Sequence, residues 1–238
     1  MPDVEVGAVD AGSQLLRGYL ARPAGPGPWP GVVAIHELFG LNDMLRRQAD
    51  RLAAAGYLTF GPDLFSDGGA ARCVLGTFRA MFAGHGKPFA DIEAARTFVQ
   101  GHQDCTGKVG IIGFCLGGGF ALVAANRGFD ASAVNYGPPP RNLERALSGA
   151  CPVVASYGGR DVALRGAARK LERTLTDLAV PHDVKEYPTA GHSFLNDASY
   201  GPKPAQQLQR IAHVGPDPVA APDAWRRIDA FFAEHLAG

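Results

Sequence analysis

Three residues of the sequence together supply a nucleophile, a base and an acid: Cys115, His192 and Asp161. Cys115 lies in the stretch GFCLGG, in which one glycine stands two residues before the cysteine and another stands two residues after it. This G-x-C-x-G spacing is typical of a nucleophile elbow, a sharp turn between a strand and a helix that exposes the central side chain. The following helix would direct its positive end at the sulfur and favour the thiolate. Cys115 is therefore a candidate catalytic nucleophile.

Two other interpretations of this stretch exist. A free cysteine after an apolar strand is commonly inert core, because its thiol packs as a small hydrophobic group. Glycine-rich turns between a strand and a helix also bind dinucleotides, but GFCLGG does not match G-x-G-x-x-G. The acidic residue expected about 20 residues later falls near Asp130, and no second nucleotide-binding feature follows it. On this stretch alone, catalysis and an inert core cysteine stay equally open.

The positions of Asp161 and His192 favour catalysis. Asp161 follows a predicted strand within YGGRD, and His192 lies in the loop after the next predicted strand. The chain order of nucleophile, acid and histidine is that of the α/β-hydrolase fold, in which the three side chains converge at the carboxyl edge of the sheet. Histidine would remove or hold the thiol proton, and aspartate would fix the tautomer of the histidine. Taken singly, Asp161 could be a turn former and His192 a surface histidine.

Alternating strands and helices must position these residues. The apolar patterns predict strands over 14–21, 31–35, 57–61, 109–114, 131–136, 152–156 and 182–187. They predict helices over 42–55, 72–82, 88–100, 118–126, 163–178 and 223–236, with a short helix over 204–211. This alternation indicates an α/β fold, a mostly parallel twisted sheet of seven or eight strands with helices on both faces. The length of 238 residues favours a single domain over residues 1–238.

Composition narrows the classes of partner. The 23 basic and 23 acidic residues give a formal net charge of zero, so we expect neither a nucleic acid nor an anionic membrane as partner. The sequence has no signal-peptide pattern and no apolar run near the roughly 20 residues that span a bilayer, so we expect a cytoplasmic location. The four cysteines form no C-x-x-C pair, so we predict free thiols and no metal site.

Two ionisable residues, His36 and Glu37, follow the apolar strand over 31–35. The carboxyl ends of parallel strands are where open α/β sheets bind their ligands. Histidines are often exposed in loops, so the preferred interpretation of His36 is a solvated loop residue.

These motifs together resemble the dienelactone hydrolase family of α/β-hydrolases over about residues 14–236. The resemblance rests on five motifs: HELFG at 36–40, PDLF at 62–65, GFCLGG at 113–118, GGRD at 158–161 and AGHSF at 190–194. It implies a triad of Cys115, His192 and Asp161, with Glu37 beside the resting thiol. It further implies an oxyanion hole formed by the backbone N–H groups of Leu38 and Leu116.

The resemblance also implies which residues bind the substrate. Family members bind a substrate carboxylate with two arginines, one of them four residues after the catalytic histidine. That position is Asn196 in this sequence, and loss of a bidentate arginine would weaken the binding of anionic substrates. The other arginine corresponds to Arg72 or, as an alternative, Arg79, and Phe39 of HELFG is assigned to the same site.

The implied function is hydrolysis of a lactone or small carboxylic ester through a thiol-ester acyl-enzyme, with no metal or organic cofactor. The balanced charge and the single domain require no partner chain, so we expect a monomer rather than an oligomer. One alternative is a non-catalytic protein that keeps the hydrolase pocket to bind a small acid or lactone. Another is a thiol sensor, because an exposed cysteine of low pKa can be oxidised.

Overall fold

One sheet contains the eight strands of the described residues. The structure is a computed structural model that describes residues 3–199, 207, 209, 211 and 213–237. The strands are β1 Asp3–Gly7, β2 Leu16–Ala21, β3 Trp29–Ile35, β4 Leu58–Pro62, β5 Cys105–Phe114, β6 Ala131–Asn135, β7 Val153–Gly158 and β8 His182–Tyr187. The helices are α1 Asp43–Ala54, α2 Ala70–Ala83, α3 Lys87–Gln100, α4 Leu116–Ala124, α5 Leu143–Leu147, α6 Ala167–Asp177 and α7 Ala220–Leu236. In addition, a 3-10 turn covers Val162–Leu164.

The strand order creates a crevice at the centre of the sheet. The order is β1-β2-β4-β3-β5-β6-β7-β8, in which β2 is antiparallel to β1 and β4 and the remaining neighbours are parallel. The chain moves from β3 to β4 on one side and afterwards to β5 on the other side of β3. Ligands of α/β sheets bind at the carboxyl ends of strands where the order reverses in this way. The α/β-hydrolase fold and the mostly parallel sheet predicted from the sequence are confirmed.

Helices cover both faces of the sheet. On one face, α3, α4 and α6 bury residues such as Val99, Phe120 and Leu171. On the other face, α1 and α7 bury residues such as Leu45 and Phe232. No helix in the described part of the chain is long and apolar enough to cross a bilayer.

The sequence pattern predicted α1 well because both of its signals are local. The Asn42 side chain accepts hydrogen bonds from the N–H groups of Met44 and Leu45, which satisfies donors at the helix start. Leu45, Ala49 and Leu52 form its buried stripe at helical spacing.

Other elements differ from their predictions. Helix α6 begins at Ala167 rather than Ala163, because the Asp161 side chain accepts from Ala163 N–H and starts a 3-10 turn instead. Strand β1 and the five-residue helix α5 were not predicted; both are short and give a weak periodic signal. The short helix predicted over 204–211 falls largely outside the described residues.

The turn after β5 requires glycine for a steric reason. A Cβ atom on Gly113 would lie 1.9 Å from the backbone oxygen of Gly117, on the opposite side of the elbow. Rotation of a side chain cannot relieve this contact. The oxygen belongs to the backbone, and the backbone also fixes the position of a Cβ atom. Glycine at position 113 therefore permits the tight backbone turn at Cys115.

We expect Gly113→Ala to lower the free energy of unfolding by about 3 kcal/mol, because the added methyl group overpacks against backbone. The matched control is Gly76→Ala in the exposed face of α2, where an added Cβ has no heavy atom within 4 Å. Alanine favours helix over glycine, so this control should raise the free energy of unfolding by roughly 1 kcal/mol. Chemical denaturation measures both, and similar values for the two variants would refute the steric explanation.

Candidate active site

Cys115 occupies the strained residue of the elbow. It joins the end of β5 to the start of α4 with φ of 54° and ψ of −119°, a backbone conformation that is unfavourable for a residue with a side chain. Its N–H donates to the carbonyl of Asn135 at 3.1 Å, and its own carbonyl accepts from Gly119 N–H at 3.2 Å. These two hydrogen bonds fix the turn from both sides. The side chain lines a cavity of about 160 Å³.

His192 and Asp161 come from the loops that follow β8 and β7. The Nδ1–H group of His192 donates to Asp161 Oδ2 at 2.5 Å, and the aspartate side chain is almost fully buried. The backbone of His192 is itself fixed, because its N–H donates to the carbonyl of His213 and its carbonyl accepts from Gly215 N–H. The imidazole is thus held in one tautomer, with Nε2 left to act on the cavity side.

The electrostatic environment favours the charged form of His192. Burial alone would lower the pKa of His192, but hydrogen bonds and charge interactions with Asp161 and Cys115 outweigh it. Together they raise the pKa of His192 from its usual value of 6.5 to about 10. Cys115 and His192 line the same cavity, and the interaction between their side chains contributes to this raised pKa.

Six of the nine predicted site residues line the same cavity; they are Glu37, Leu38, Phe39, Cys115, His192 and Asn196. Asp161 lies behind His192, and Leu116 directly follows Cys115 in the chain. Within the described part of the chain, the N–H groups of Leu38 and Leu116 donate to no protein acceptor. Both groups are thus available for the oxyanion hole that the sequence predicts.

Arg72 is separate from these residues. It lies on the exposed side of α2 and lines a different cavity of about 460 Å³, together with Arg79. The structure therefore does not bring either arginine to the cavity of Cys115. Their role in binding a substrate carboxylate stays a prediction.

Asn196 connects Glu37 to the core. Its Nδ2 group donates to both carboxylate oxygens of Glu37 at 3.3 Å, and its Oδ1 atom accepts from Gln48 Nε2 at 3.2 Å. The Ser193 hydroxyl also donates to Glu37, at 3.0 Å. Although Asn196 lines the cavity, its amide is thus used to hold a buried carboxylate. The predicted contact of Glu37 with the resting thiol stays a prediction.

Ser193, Gln48 and Tyr136 were not identified from the sequence. The sequence does contain a signal for Gln48, because it is a polar residue on the apolar, buried face of α1. Tyr136 follows β6, and its ring packs edge-on against the imidazole of His192 with centroids 5.2 Å apart. Ser193 and Tyr136 both have positive φ values, 58° and 41°. Together with Cys115 they place three strained residues at one site, a pattern typical of functional sites.

The prediction that His36 is a solvated loop residue is wrong. Its side chain is about 1% exposed, and both ring nitrogens have protein partners. The partner that buries it, the backbone of the loop after β4, lies 28 residues later in the sequence. Local polarity therefore could not reveal the burial.

The described residues contain no group of three or more His, Cys, Asp or Glu side chains placed to hold a metal ion. All four cysteines are free thiols. Burial raises the pKa of the Cys151 thiol to about 12, so this cysteine is unreactive compared with Cys115 on the cavity wall.

We expect Asp161→Asn to lower the pKa of His192 from about 10 towards its usual 6.5, because an amide of the same size no longer stabilises imidazolium. Since the pKa is raised on folding, the charged histidine stabilises the fold fully below about pH 6.5. This contribution disappears as the pH rises to about 10. NMR titration of labelled histidine measures the change. His182→Asn is the control that should leave His192 unaffected, and an unchanged pKa in Asp161→Asn would contradict this assignment.

A second expectation concerns Asn196. Asn196→Ala should lower the free energy of unfolding by about 1–3 kcal/mol, because Glu37 and Gln48 each lose a buried hydrogen-bond partner. Asn126→Ala is the matched control on an exposed residue, with an expected change within about 0.5 kcal/mol. Urea denaturation distinguishes the two, and equal effects would show that the buried network contributes nothing.

Comparison with known proteins identifies the family of this chain. The family model described as the dienelactone hydrolase family matches residues 16–236. The carboxymethylenebutenolidase of Pseudomonas putida is 29% identical over 204 residues, which cover 77% of this chain and 83% of that protein.

Solved structures share the fold over nearly the whole chain. A dienelactone hydrolase-like promiscuous phosphotriesterase from metagenomic libraries has a TM-score of 0.79 at 22% identity, covering 99% of both chains. The dienelactone hydrolase of Anabaena variabilis has a TM-score of 0.69 at 21% identity, covering 99% of this chain and 98% of that one. From the family match over residues 16–236, the chain belongs to the dienelactone hydrolase family and is a hydrolase that acts on ester bonds.

Proposed function

We propose that the protein hydrolyses a lactone or small carboxylic ester through a Cys115–His192–Asp161 triad and a thiol-ester acyl-enzyme. The observation that carries the proposal is the convergence of these three residues. The Asp161 carboxylate orients His192, and His192 interacts with the only one of the described cysteines that lines the cavity. The alternative of a non-catalytic binding protein has no comparable observation in its favour.

The first half of the reaction is acylation. The Cys115 thiolate attacks the carbonyl carbon, forming a carbon–sulfur bond and placing negative charge on the carbonyl oxygen. The N–H groups of Leu38 and Leu116 stabilise this oxyanion. The carbon–oxygen bond of the ester then breaks, and the imidazolium of His192 gives its proton to the leaving oxygen. In a lactone the new hydroxyl stays attached to the acyl group.

The second half releases the acid. Neutral His192 removes a proton from water, and the oxygen of that water attacks the thiol ester. The carbon–sulfur bond breaks as the carboxylic acid forms, and Cys115 returns to the thiolate beside imidazolium. The hydrogen bond from His192 to Asp161 holds the same imidazole face towards the cavity in both halves. The cycle needs water as its single co-reactant.

The shape of the cavity supports a small acyl group. Its volume is about 160 Å³. Apolar groups of Leu38, Phe39 and Val214 form part of its wall. A short apolar acyl group therefore suits this wall.

The single-domain organisation, the monomeric state and the cytoplasmic location stay predictions from the sequence.

The test is initial-rate hydrolysis of a panel that contains dienelactone, neutral lactones, short nitrophenyl esters and an acyl thioester. Cys115→Ala should lower kcat by at least about 1,000-fold, because the nucleophile is missing. A labile acyl mass on Cys115, trapped by rapid acid quench and located by mass spectrometry, should appear in the wild-type protein.

The matched control is Cys105→Ala, at the opposite end of β5 from the elbow, and it should keep wild-type turnover. Undiminished hydrolysis by folded Cys115→Ala would exclude the cysteine nucleophile. Stabilisation by lactones without any turnover would instead favour the binding protein.

A further inference from the structure

We infer that His36 is a positioning residue of the oxyanion hole: it orients and polarises the peptide group between Glu37 and Leu38. The inference rests on the proposed function, since it concerns the same hydrolytic step. It assigns a role to a histidine that is neither a nucleophile nor a base and that does not line the cavity of Cys115.

The hydrogen bonds of His36 fix its tautomer. Its Nε2 atom accepts from the N–H of Leu64 at 3.1 Å, so this nitrogen carries a lone pair rather than a proton. The proton is therefore on Nδ1, which donates to the carbonyl oxygen of Glu37 at 2.6 Å. Burial also lowers the pKa of His36, although its hydrogen bond to Glu37 and the charge of Asp63 oppose this, and the neutral ring fits both contacts.

The ring itself is held in place. It packs against the ring of Phe65 with centroids 4.7 Å apart, and Leu64 and Phe65 both belong to the loop after β4. The side chain of Asp63 fixes that loop, because its Oδ1 atom accepts from Phe65 N–H at 3.0 Å. His36 thus connects the loop after β3 to a rigid turn of the neighbouring strand.

The acceptor of His36 belongs to the peptide group that supplies a predicted oxyanion donor. The carbonyl of Glu37 and the N–H of Leu38 lie in one planar unit and point in opposite directions, so fixing the carbonyl fixes the N–H. A hydrogen bond to the carbonyl also polarises the unit and makes its N–H a stronger donor. Leu38 lines the cavity of Cys115, and its N–H has no protein acceptor in the described residues.

The elbow approaches this loop closely. A Cβ atom on Gly117 would lie 2.3 Å from the carbonyl oxygen of Ile35 and 2.7 Å from that of His36. The backbone of Ile35 and His36 therefore packs directly against the first turn of α4, which contains the second proposed donor at Leu116. A small rotation of the Glu37–Leu38 peptide would separate the two donors without changing the triad.

Two variants distinguish the two hydrogen bonds of His36, because each variant keeps one of them and removes the other. In His36→Asn the amide nitrogen reaches the position of Nδ1 and can still donate to Glu37. In His36→Gln the amide oxygen reaches the position of Nε2, so it can accept from Leu64 but the donation to Glu37 is lost. Each variant removes one buried hydrogen bond, so we expect similar losses of stability. Thr59→Val, which removes a buried hydrogen bond away from the site, is the stability control.

The experiment compares two reactions of Cys115. Acylation by a short nitrophenyl ester develops an oxyanion, whereas alkylation by iodoacetamide displaces iodide and develops none. We expect His36→Gln to slow acylation, and with it kcat, by about 10- to 100-fold, with KM and the alkylation rate little changed. His36→Asn should acylate about tenfold faster than His36→Gln.

The outcomes are distinguishable. Equal acylation rates in the two variants would overturn the role of His36, and so would a parallel loss of acylation and alkylation, which would indicate a damaged elbow. A wild-type protein that is alkylated at Cys115 but never acylated would contradict the proposed function, and the role of His36 with it. Slow acylation confined to His36→Gln supports both.

Discussion

The close approach of two backbone segments at the carboxyl ends of β3 and β5 is the constraint on which the rest of the site depends. Ile35 and Gly113 are paired in register, and each strand then leads directly into a loop or a helix start. Because Gly113 and Gly117 have no side chains, the elbow can pass within contact distance of the loop after β3. Cys115 from one segment and Leu38 from the other therefore line one small cavity.

Buried polar groups hold the parts of this cavity in register. The carboxylate of Asp161 fixes His192, while Asn196 and Ser193 fix Glu37, and His36 links the loop after β3 to the loop after β4. Each of these groups would be costly to bury without a partner, so the geometry of one constrains that of the next. The side chains of the proposed site thus lie on loops, and hydrogen bonds to the edge of the sheet make these loops rigid.

The positions of Cys115, Asp161 and His192 at strand ends were predictable because their signals are local or follow chain order. The glycines around Cys115 specify the turn, and the order of Cys115, Asp161 and His192 specifies which strands must supply them. The polar residues around them were less predictable. Asn196 was assigned to substrate by correspondence with the family, yet its amide holds Glu37, and its partner Gln48 comes from a helix 148 residues earlier. The partners of a polar residue depend on which distant segments pack against it, and the local sequence pattern does not contain this information.

The sequence by itself determined the fold class, the family resemblance, most of the strand and helix segments and the choice of Cys115, Asp161 and His192 as candidate site residues. Periodicity, glycine spacing and chain order are properties of short segments, so they can be read before the chain folds. Only the tertiary structure decided that His36 is buried, that Arg72 lies at another cavity, and which groups hold Glu37. Those outcomes depend on packing between segments far apart in the chain, where burial decides whether a polar side chain faces water or another residue.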